Sequence, residues 1–118
     1  MSRATVNRIC ETFPGAEVSD PWGGGHDAWK VGGKMFACIG AVNEAVAVKC
    51  GSVEEAEHLN DLFGWPKAKY FHRSWVEIAL DGGADEALLR HRLLVSYRTV
   101  RAGLPKKTQA ALQPVPEA

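Results

Sequence analysis

Alternating apolar residues between positions 28 and 50 restrict the fold of this chain more than any other sequence feature. Three runs, 28–31, 34–39 and 45–50, place apolar side chains at every second position, as half-buried strands do. Gly32-Gly33 joins the first two runs as a two-residue turn, and a turn near Val42-Asn43-Glu44 joins the last two. These links are too short for parallel crossovers, so the pattern predicts an antiparallel meander. The side chains predicted to share a face within each run are Trp29 and Val31, then Met35, Ala37 and Ile39, then Val46, Val48 and Cys50.

Helical patterns flank this meander. Apolar residues at helical spacing follow Ser2, Ser52 and Asp85, which are residue types that cap helix N-termini. Further strands are expected at 17–20, 69–71 and 75–80. The order is therefore helix, strand meander, helix, strand, helix, which predicts an α+β fold. The last helix is expected to pack against the core through an apolar stripe, which consists of Leu89, Leu93, Tyr97, Val100 and Leu104.

The length of 118 residues corresponds to one domain. We expect this domain to cover residues 1–107, and residues 108–118, which contain two prolines and little apolar bulk, to form a flexible C-terminal tail. Neither a signal peptide nor a membrane-spanning run is visible, so we expect a cytoplasmic protein with no membrane partner. The odd count and wide spacing of Cys10, Cys38 and Cys50 predict reduced, unpaired thiols.

The charge is zero overall but unevenly distributed. Residues 1–66 carry five basic and nine acidic side chains, whereas residues 67–118 carry nine basic and five acidic ones. Between Arg90 and Lys107 there are six basic residues and no acidic one. On a helix of about 3.6 residues per turn, Arg90, Arg98 and Arg101 share an arc beside the apolar stripe. An anionic partner is therefore expected at the C-terminal half, although a solvated helix face explains the same pattern.

Motifs for catalysis, metals and cofactors are missing from the sequence. Gly23-Gly24-Gly25 has no following Lys-Ser/Thr pair and is interpreted as a hairpin tip rather than a phosphate loop. The four histidines lack the spacing of a metal site. We therefore predict a protein that is not an enzyme and binds neither metal nor cofactor. The segment 67–73 interleaves basic and aromatic residues, which is typical of nucleic-acid surfaces and also of a strand that buries Tyr70 or Phe71.

The order of several short motifs resembles the MmcQ/YjbR family of small bacterial proteins, over roughly residues 5 to 107. The matching motifs are Phe13-Pro14-Gly15-Ala16, Pro21-Trp22-Gly23, Trp29-Lys30-Val31-Gly32-Gly33-Lys34-Met35-Phe36-Ala37, Val48-Lys49-Cys50, Lys69-Tyr70-Phe71, Trp75-Val76 and Ser96-Tyr97-Arg98-Thr99-Val100. The resemblance implies a CyaY/frataxin-like fold, with an antiparallel sheet and helices packed on one face. It brings no catalytic residues, and Ser96 can bond back within its own helix.

Family members are commonly labelled DNA-binding, with hairpins that flank the duplex, so the resemblance implies weak, non-enzymatic DNA binding. The tips expected to act as such hairpins are 23–25 or 32–34. The residues expected to contact DNA are Arg90, Arg98, Arg101, Lys106, Lys107, Lys69, Arg73, Lys30 and Lys34.

The fold analogy raises frataxin-like iron handling as a further class of function, which this sequence disfavours. Frataxin-like iron handling needs acidic side chains on the first helix, which here carries Arg3 and Arg8 against Glu11 alone. A small-molecule or protein-binding module is the alternative, because four tryptophans are many for this length and Trp22 is the one least expected in the core.

Overall fold

The computed structural model describes residues 2–41 and 44–116, and its strands form one five-stranded antiparallel sheet in the order β1-β2-β3-β4-β5. The elements are α1 (Arg3–Glu11), β1 (Glu17–Ser19), β2 (Asp27–Val31), β3 (Lys34–Ile39), β4 (Ala45–Lys49), α2 (Val53–Phe63), β5 (Trp75–Ala79), α3 (Glu86–Ala102) and α4 (Lys106–Ala110). The predicted α+β fold, with an antiparallel sheet and helices on one face, is confirmed. Of the turn predicted near Val42-Asn43-Glu44, the first two residues lie outside the described ranges.

The helix starts follow the predicted caps. Ser2 Oγ, Ser52 Oγ and Asp85 Oδ1 accept hydrogen bonds from backbone N–H groups three residues ahead, at 3.3, 3.0 and 2.7 Å. Each bond satisfies an N–H group that has no partner inside its helix. Helix α2 ends at Gly64, whose left-handed backbone, φ 73°, suits glycine. These local signals account for where the helices begin and for where α2 ends.

The main core lies between the sheet and the helices. Leu89, Leu93, Tyr97 and Leu104 are buried there as predicted, and Val100 packs against the core from a half-buried position. Tyr97 and Phe36 meet edge to face with their ring centroids 5.4 Å apart. We name this side of the sheet the inner face. The opposite side, named the outer face, is covered by no helix within the described ranges.

One pairing irregularity corrects the period-two prediction for β3. Trp29 pairs with Ala37 whereas the next residue, Lys30, pairs with Met35, so Phe36 is an extra residue in β3. This bulge turns Phe36 into the core and Met35 to the outer face, where Met35 joins a smaller apolar cluster. The prediction that Met35 shares a face with Ala37 is therefore wrong.

The same bulge explains Ser96, which does not bond back within its helix as expected. Ser96 Oγ donates to the Phe36 carbonyl at 2.5 Å and accepts from the Lys49 N–H at 2.9 Å. The β3–β4 pairing begins one step away, at Ala37 and Val48. A hydroxyl from α3 thus satisfies two sheet groups where the strands separate.

The chain remains folded beyond the expected domain end at residue 107. Residues 106–110 form α4, and Leu112 and Val115 pack against the main core. Leu112 fills the space beside Gly15, which has φ 73°. Residues 108–116 of the segment expected as a flexible tail thus lie on the domain, because Leu112 and Val115 cover the edge of the core. Across the described part of the chain, no helix is long and apolar enough to cross a membrane.

The strand expected at 69–71 is wrong, since these residues form a turn. Instead, the backbone of Lys67 forms an isolated antiparallel β-bridge with Val76 of β5. Within the turn, Tyr70 has φ 68° and its side chain is fully exposed, with a relative accessibility of 101%. Residues 66–68 therefore pair along the edge of β5, and residues 68–71 lie against the outer face.

Candidate functional site

The three arginines predicted to form a basic stripe on α3 have different surroundings. Arg90 is half-buried, with its guanidinium carbon 5.9 Å from the centroid of the Phe13 ring. Arg98 is exposed and donates to the Pro116 carbonyl at 2.9 Å. Arg101 is only 8% exposed and donates to the Tyr97 hydroxyl at 2.9 Å. Of the three, Arg98 alone presents an exposed cation.

Oxygen atoms of the chain itself stabilise these arginines. The Tyr97 hydroxyl accepts from Arg101 and donates to the Pro14 carbonyl at 2.5 Å. The Arg101 guanidinium also lies over the Tyr97 ring, with 5.9 Å from its carbon to the centroid, a cation–π distance. Repulsion between Arg98 and Arg101 is thus offset by hydroxyl and carbonyl acceptors, without an external anion.

The remaining predicted cations are scattered over the surface. Lys106 and Lys107 are exposed at the start of α4. Lys34 lines a groove with Lys49 beside the end of α3. The residues Lys30, Arg73 and Lys69 line three further, separate depressions. Four of the nine predicted DNA-contacting residues, Lys30, Lys34, Lys69 and Arg73, thus line four different depressions.

A row of small side chains crosses the outer face. Strand pairing aligns Ser19, Ala28, Cys38 and Ala47, and the row ends at Glu77 on β5. Directly paired residues of neighbouring strands project to the same face. Because the middle of the row lacks bulk, it forms the floor of a depression on this face.

One wall of this depression is the turn 68–71. Ala68 is buried against the outer-face cluster, and Phe71 stacks on Trp75 with 4.5 Å between ring centroids. These contacts fix the base of the turn, while Lys69 and Tyr70 extend into solvent.

The opposite wall is the glycine-rich loop, which the Asp20 carboxylate organises. Its oxygens accept from the backbone N–H groups of Gly24, Gly25 and His26 at 3.0, 2.8 and 3.2 Å. The Gly25 N–H, together with those of Gly24 and His26, lowers the pKa of the Asp20 carboxyl. The loop holds Trp22, which is 58% exposed, edge to face with His26 at 5.0 Å between ring centroids.

Between the two walls lies a cleft of about 450 Å³, within the size range of small-molecule sites, which runs from about 300 to 1,000 Å³. We name it the outer-face cleft. Its floor is Cys38, Gly40, Ala47 and Ala68, and its walls are Trp22, His26, Lys69, Tyr70 and Phe71. The lining is mostly apolar and aromatic.

The backbone of Tyr70 is the least favourable feature of the cleft. Positive φ is uncommon for residues other than glycine, and such strain costs about 1–3 kcal/mol. The ring gains no burial in return, because it is completely exposed. The turn thus holds an aromatic ring beside the cleft against both backbone and side-chain preferences.

The thiol in the cleft floor is not activated. Burial, with a smaller contribution from the Asp27 carboxylate, raises the pKa of Cys38. Cys10 and Cys50 are likewise free and buried, and burial raises the pKa of each thiol. Within residues 2–41 and 44–116, no three His, Cys, Asp or Glu side chains are placed to hold a metal ion.

A separate polar cluster lies beneath α3. Arg92, which is buried, donates to Glu55 Oε1 at 2.5 Å, and Glu55 Oε2 accepts from the Gly51 N–H at 3.0 Å. Burial alone raises the pKa of the Glu55 carboxyl, but the Arg92 hydrogen bond and charge and the Gly51 N–H outweigh it, so this pKa is lowered. The cluster ties α2 to α3 and shares no residue with the cleft lining.

Sequence reasoning identified parts of the cleft but not the cleft itself. Trp22 was the tryptophan least expected in the core, and Lys69 belonged to the basic and aromatic segment. Tyr70 was missed because the segment was interpreted as a strand. One usable signal was the small size of Ala28, Cys38 and Ala47, which alternate with core residues in three successive strands.

Comparisons with known proteins agree with the fold and leave the role of the cleft open. The model of the family described as YjbR matches residues 11–99. The chain is 27% identical over 114 residues to the "Uncharacterized protein YbdF" of Escherichia coli O157:H7, with 93% of each chain covered. Its structure is similar to that of Deinococcus radiodurans protein DR2400, a DUF419 domain, with a TM-score of 0.82 and 20% identity over 92% of this chain and 86% of that one. Since the family model spans most of the chain, this protein belongs to the YjbR family.

Proposed function

We propose that this protein is a non-enzymatic binding module that holds a small planar molecule in the outer-face cleft. The observation that carries the proposal is Tyr70, an exposed ring on a turn with a φ of 68°. Strained residues concentrate at ligand clamps and active sites, where they persist because the surrounding structure holds them. A bound planar molecule would give the ring the apolar contact that it lacks.

The shape and lining of the cleft support a flat ligand. The floor residues Cys38 and Ala47 are small, and aromatic side chains stand on both walls. Aromatic rings prefer offset-stacked or edge-to-face partners, which a planar molecule supplies. Trp22 is held in place without a ligand, because Asp20 binds three N–H groups of its loop.

The absence of catalysis is part of the proposal. A nucleophilic cysteine needs a lowered pKa, whereas burial raises that of Cys38. The other polar side chains of the lining, His26 and Lys69, stand on opposite walls. A general base needs a reacting group within hydrogen-bonding reach, and this lining offers no paired nucleophile.

A screen of flat aromatic fragments, followed by backbone amide chemical shifts, tests the proposal. We expect the shifts to concentrate around Trp22, Cys38 and Tyr70, and Tyr70→Ala to weaken binding at least about fivefold, as loss of a stacking contact of about 1 kcal/mol predicts. The control is Phe63→Ala, which removes another exposed ring, stacked on Trp65 at the end of α2. Hits spread evenly over the surface, or no hits, contradict the proposal.

Weak duplex DNA binding is the second candidate. It is favoured by Arg98, Lys106 and Lys107, which are exposed in the acid-free C-terminal segment, and by the groove that brings Lys34 and Lys49 together. Arg101 is buried and Arg90 lies over the Phe13 ring. Both observations count against DNA contact by the predicted arginine stripe on α3. Affinity should be micromolar or weaker, because non-specific binding is about 10⁻⁴–10⁻⁶ M at physiological salt.

A salt titration of duplex binding separates this candidate from the first. Replacing Lys106 and Lys107 with Gln should reduce the log–log salt slope by about 1–2 units, since each phosphate contact contributes about 0.9. Tyr70→Ala should leave the slope unchanged. Failure of the wild-type protein to retain duplex DNA at low salt excludes this candidate.

A further inference from the structure

The charges around the outer-face cleft narrow the ligand class, if the proposed function is correct. Lys69 is the one fully charged side chain in the described lining, and His26 adds an imidazole on the other wall. No described carboxylate lines the cleft. The nearby Asp20 carboxylate is directed to the N–H groups of its own loop, and its Oδ1 lies 3.6 Å from His26 Nδ1. The cleft therefore combines aromatic walls with one ammonium group, that of Lys69.

A neighbouring depression lacks this imbalance, although the groove lined by Lys34 and Lys49 shares it. Between α2 and β5, Lys67 and Arg73 line a depression of about 440 Å³ together with Glu57 and Asp61. Two cations there face two carboxylates. Lys69, two residues after Lys67, forms no ion pair with any residue in the described ranges. An unpaired ammonium beside an apolar cleft favours an anionic group on whatever occupies it.

The number of cations limits the charge of that group. Polyphosphates are held by several Lys or Arg side chains, by metal ions or by a ring of backbone N–H groups. Here the loop that offers such N–H groups already holds Asp20, and one lysine stands at the opposite wall. A single negative charge matches this arrangement. A carboxylate conjugated to a ring is planar as well, so it fits the walls in the same orientation as the ring.

We infer that the cleft binds a planar aromatic carboxylate, with the ring between the Trp22 and Tyr70 walls and the carboxylate at Lys69. Orientation then comes from the ion pair, and most of the contact area comes from the aromatic side chains and the small-residue floor. This inference deepens the proposed function, and it assigns Lys69 to ligand selection rather than to DNA.

The test compares 2-naphthoate with 2-naphthamide, which has the same ring system and no charge, by calorimetry on the full chain. We expect naphthoate to bind about five- to tenfold more tightly, between the values for exposed and buried charged contacts. Lys69→Gln should remove this preference, so that naphthoate and naphthamide bind the variant equally. Lys67→Gln, a lysine two residues away that lines the other depression, should retain it.

Each outcome has a separate meaning. Equal binding of the two probes, or a preference that survives in Lys69→Gln, overturns the inference and leaves the proposed function standing. Absence of binding by both probes overturns the proposed function as well. Loss of the preference in Lys67→Gln assigns it to general surface charge and also overturns the inference. Circular dichroism of each variant verifies that the fold is unchanged.

Discussion

The two faces of the sheet differ in the size of their side chains and in the elements that cover them. The inner face is closed by α1 and α3 over large side chains, and Leu93 and Tyr97 are completely buried there. The outer face carries small residues at its centre, is covered by no helix of the described chain, and is only partly covered by residues 68–71. Large interlocking side chains stabilise a domain, whereas small floor residues leave space above them. Stability should therefore depend on the inner face and recognition on the outer one.

The largest effect expected from this comparison is at the centre of the inner face. Leu93→Ala should lower the free energy of unfolding by about 2–5 kcal/mol, because it leaves a cavity between α3 and the sheet. Leu62→Ala is the matched control, since Leu62 is exposed near the end of α2. It should change stability by less than about 0.5 kcal/mol. Urea unfolding at neutral pH measures both, and equal costs would contradict the assignment of the core.

The ion pair between α2 and α3 should have the next largest effect. Arg92→Met should lower the free energy of unfolding by about 2–4 kcal/mol. This is slightly less than the loss of one partner in a fully buried pair, because water reaches Glu55. The loss should depend on pH. The Glu55 pKa is lower in the folded than in the unfolded protein, so the pair stabilises the fold above the unfolded value of about 4.3 and loses this effect as the pH falls through the folded value.

Urea unfolding between pH 7 and pH 3 measures this dependence. The difference between the wild type and Arg92→Met should be constant near neutrality and should shrink below about pH 4. Glu55→Gln should lose less stability than the wild type over the same acid range. A difference between wild type and Arg92→Met that stays constant down to pH 3 would show that the pair does not carry this stabilisation.

A smaller effect is expected at the bulge of β3. Ser96→Ala should cost about 1–3 kcal/mol, because it removes the partner of the Phe36 carbonyl and the Lys49 N–H. Thr99→Val is the control, since the Thr99 hydroxyl bonds only to Val95 in its own helix. That variant should be near neutral. Similar costs for the two variants in denaturant unfolding would contradict the bridging role.

The smallest stability effect should be at the cleft. In Tyr70→Gly, relief of the positive φ offsets the greater chain entropy of glycine, so stability should change by less than about 1 kcal/mol. Fragment binding should nevertheless weaken by the amount expected for Tyr70→Ala. Thermal unfolding and fragment titration measure the two properties on one sample. A large loss of stability would assign the tyrosine to the fold rather than to recognition.

The sequence predicted the inner face better than the outer one for a physical reason. Burial of Leu89, Leu93 and Tyr97 follows from helical spacing, and the caps at Ser52 and Asp85 from local chemistry. The orientation of Met35 depends on a bulge that the hydrophobic alternation does not reveal. Burial of Arg101 depends on a bond to Tyr97, which lies within the apolar stripe itself.

The candidate site was harder to predict because it is assembled from distant segments. Trp22, Cys38 and Tyr70 come together only when the loop, the sheet and the turn are in place. The composition identified basic side chains as candidate binding residues. Which of them lie near a carboxylate depends on the tertiary structure. Lys67 and Lys69 are nearly equivalent in the sequence, and only the folded structure distinguishes the balanced depression from the unbalanced cleft.

The carboxylate of Asp20 has a consequence for the speed of binding. Because it orders the glycine-rich loop from within the chain, the Trp22 wall exists before any molecule arrives. We therefore expect a ligand of the proposed kind to bind without waiting for a loop to close, at a rate set by diffusion and orientation. Related ligands should then arrive at similar rates and differ in how long they stay, which makes residence time the quantity that distinguishes them.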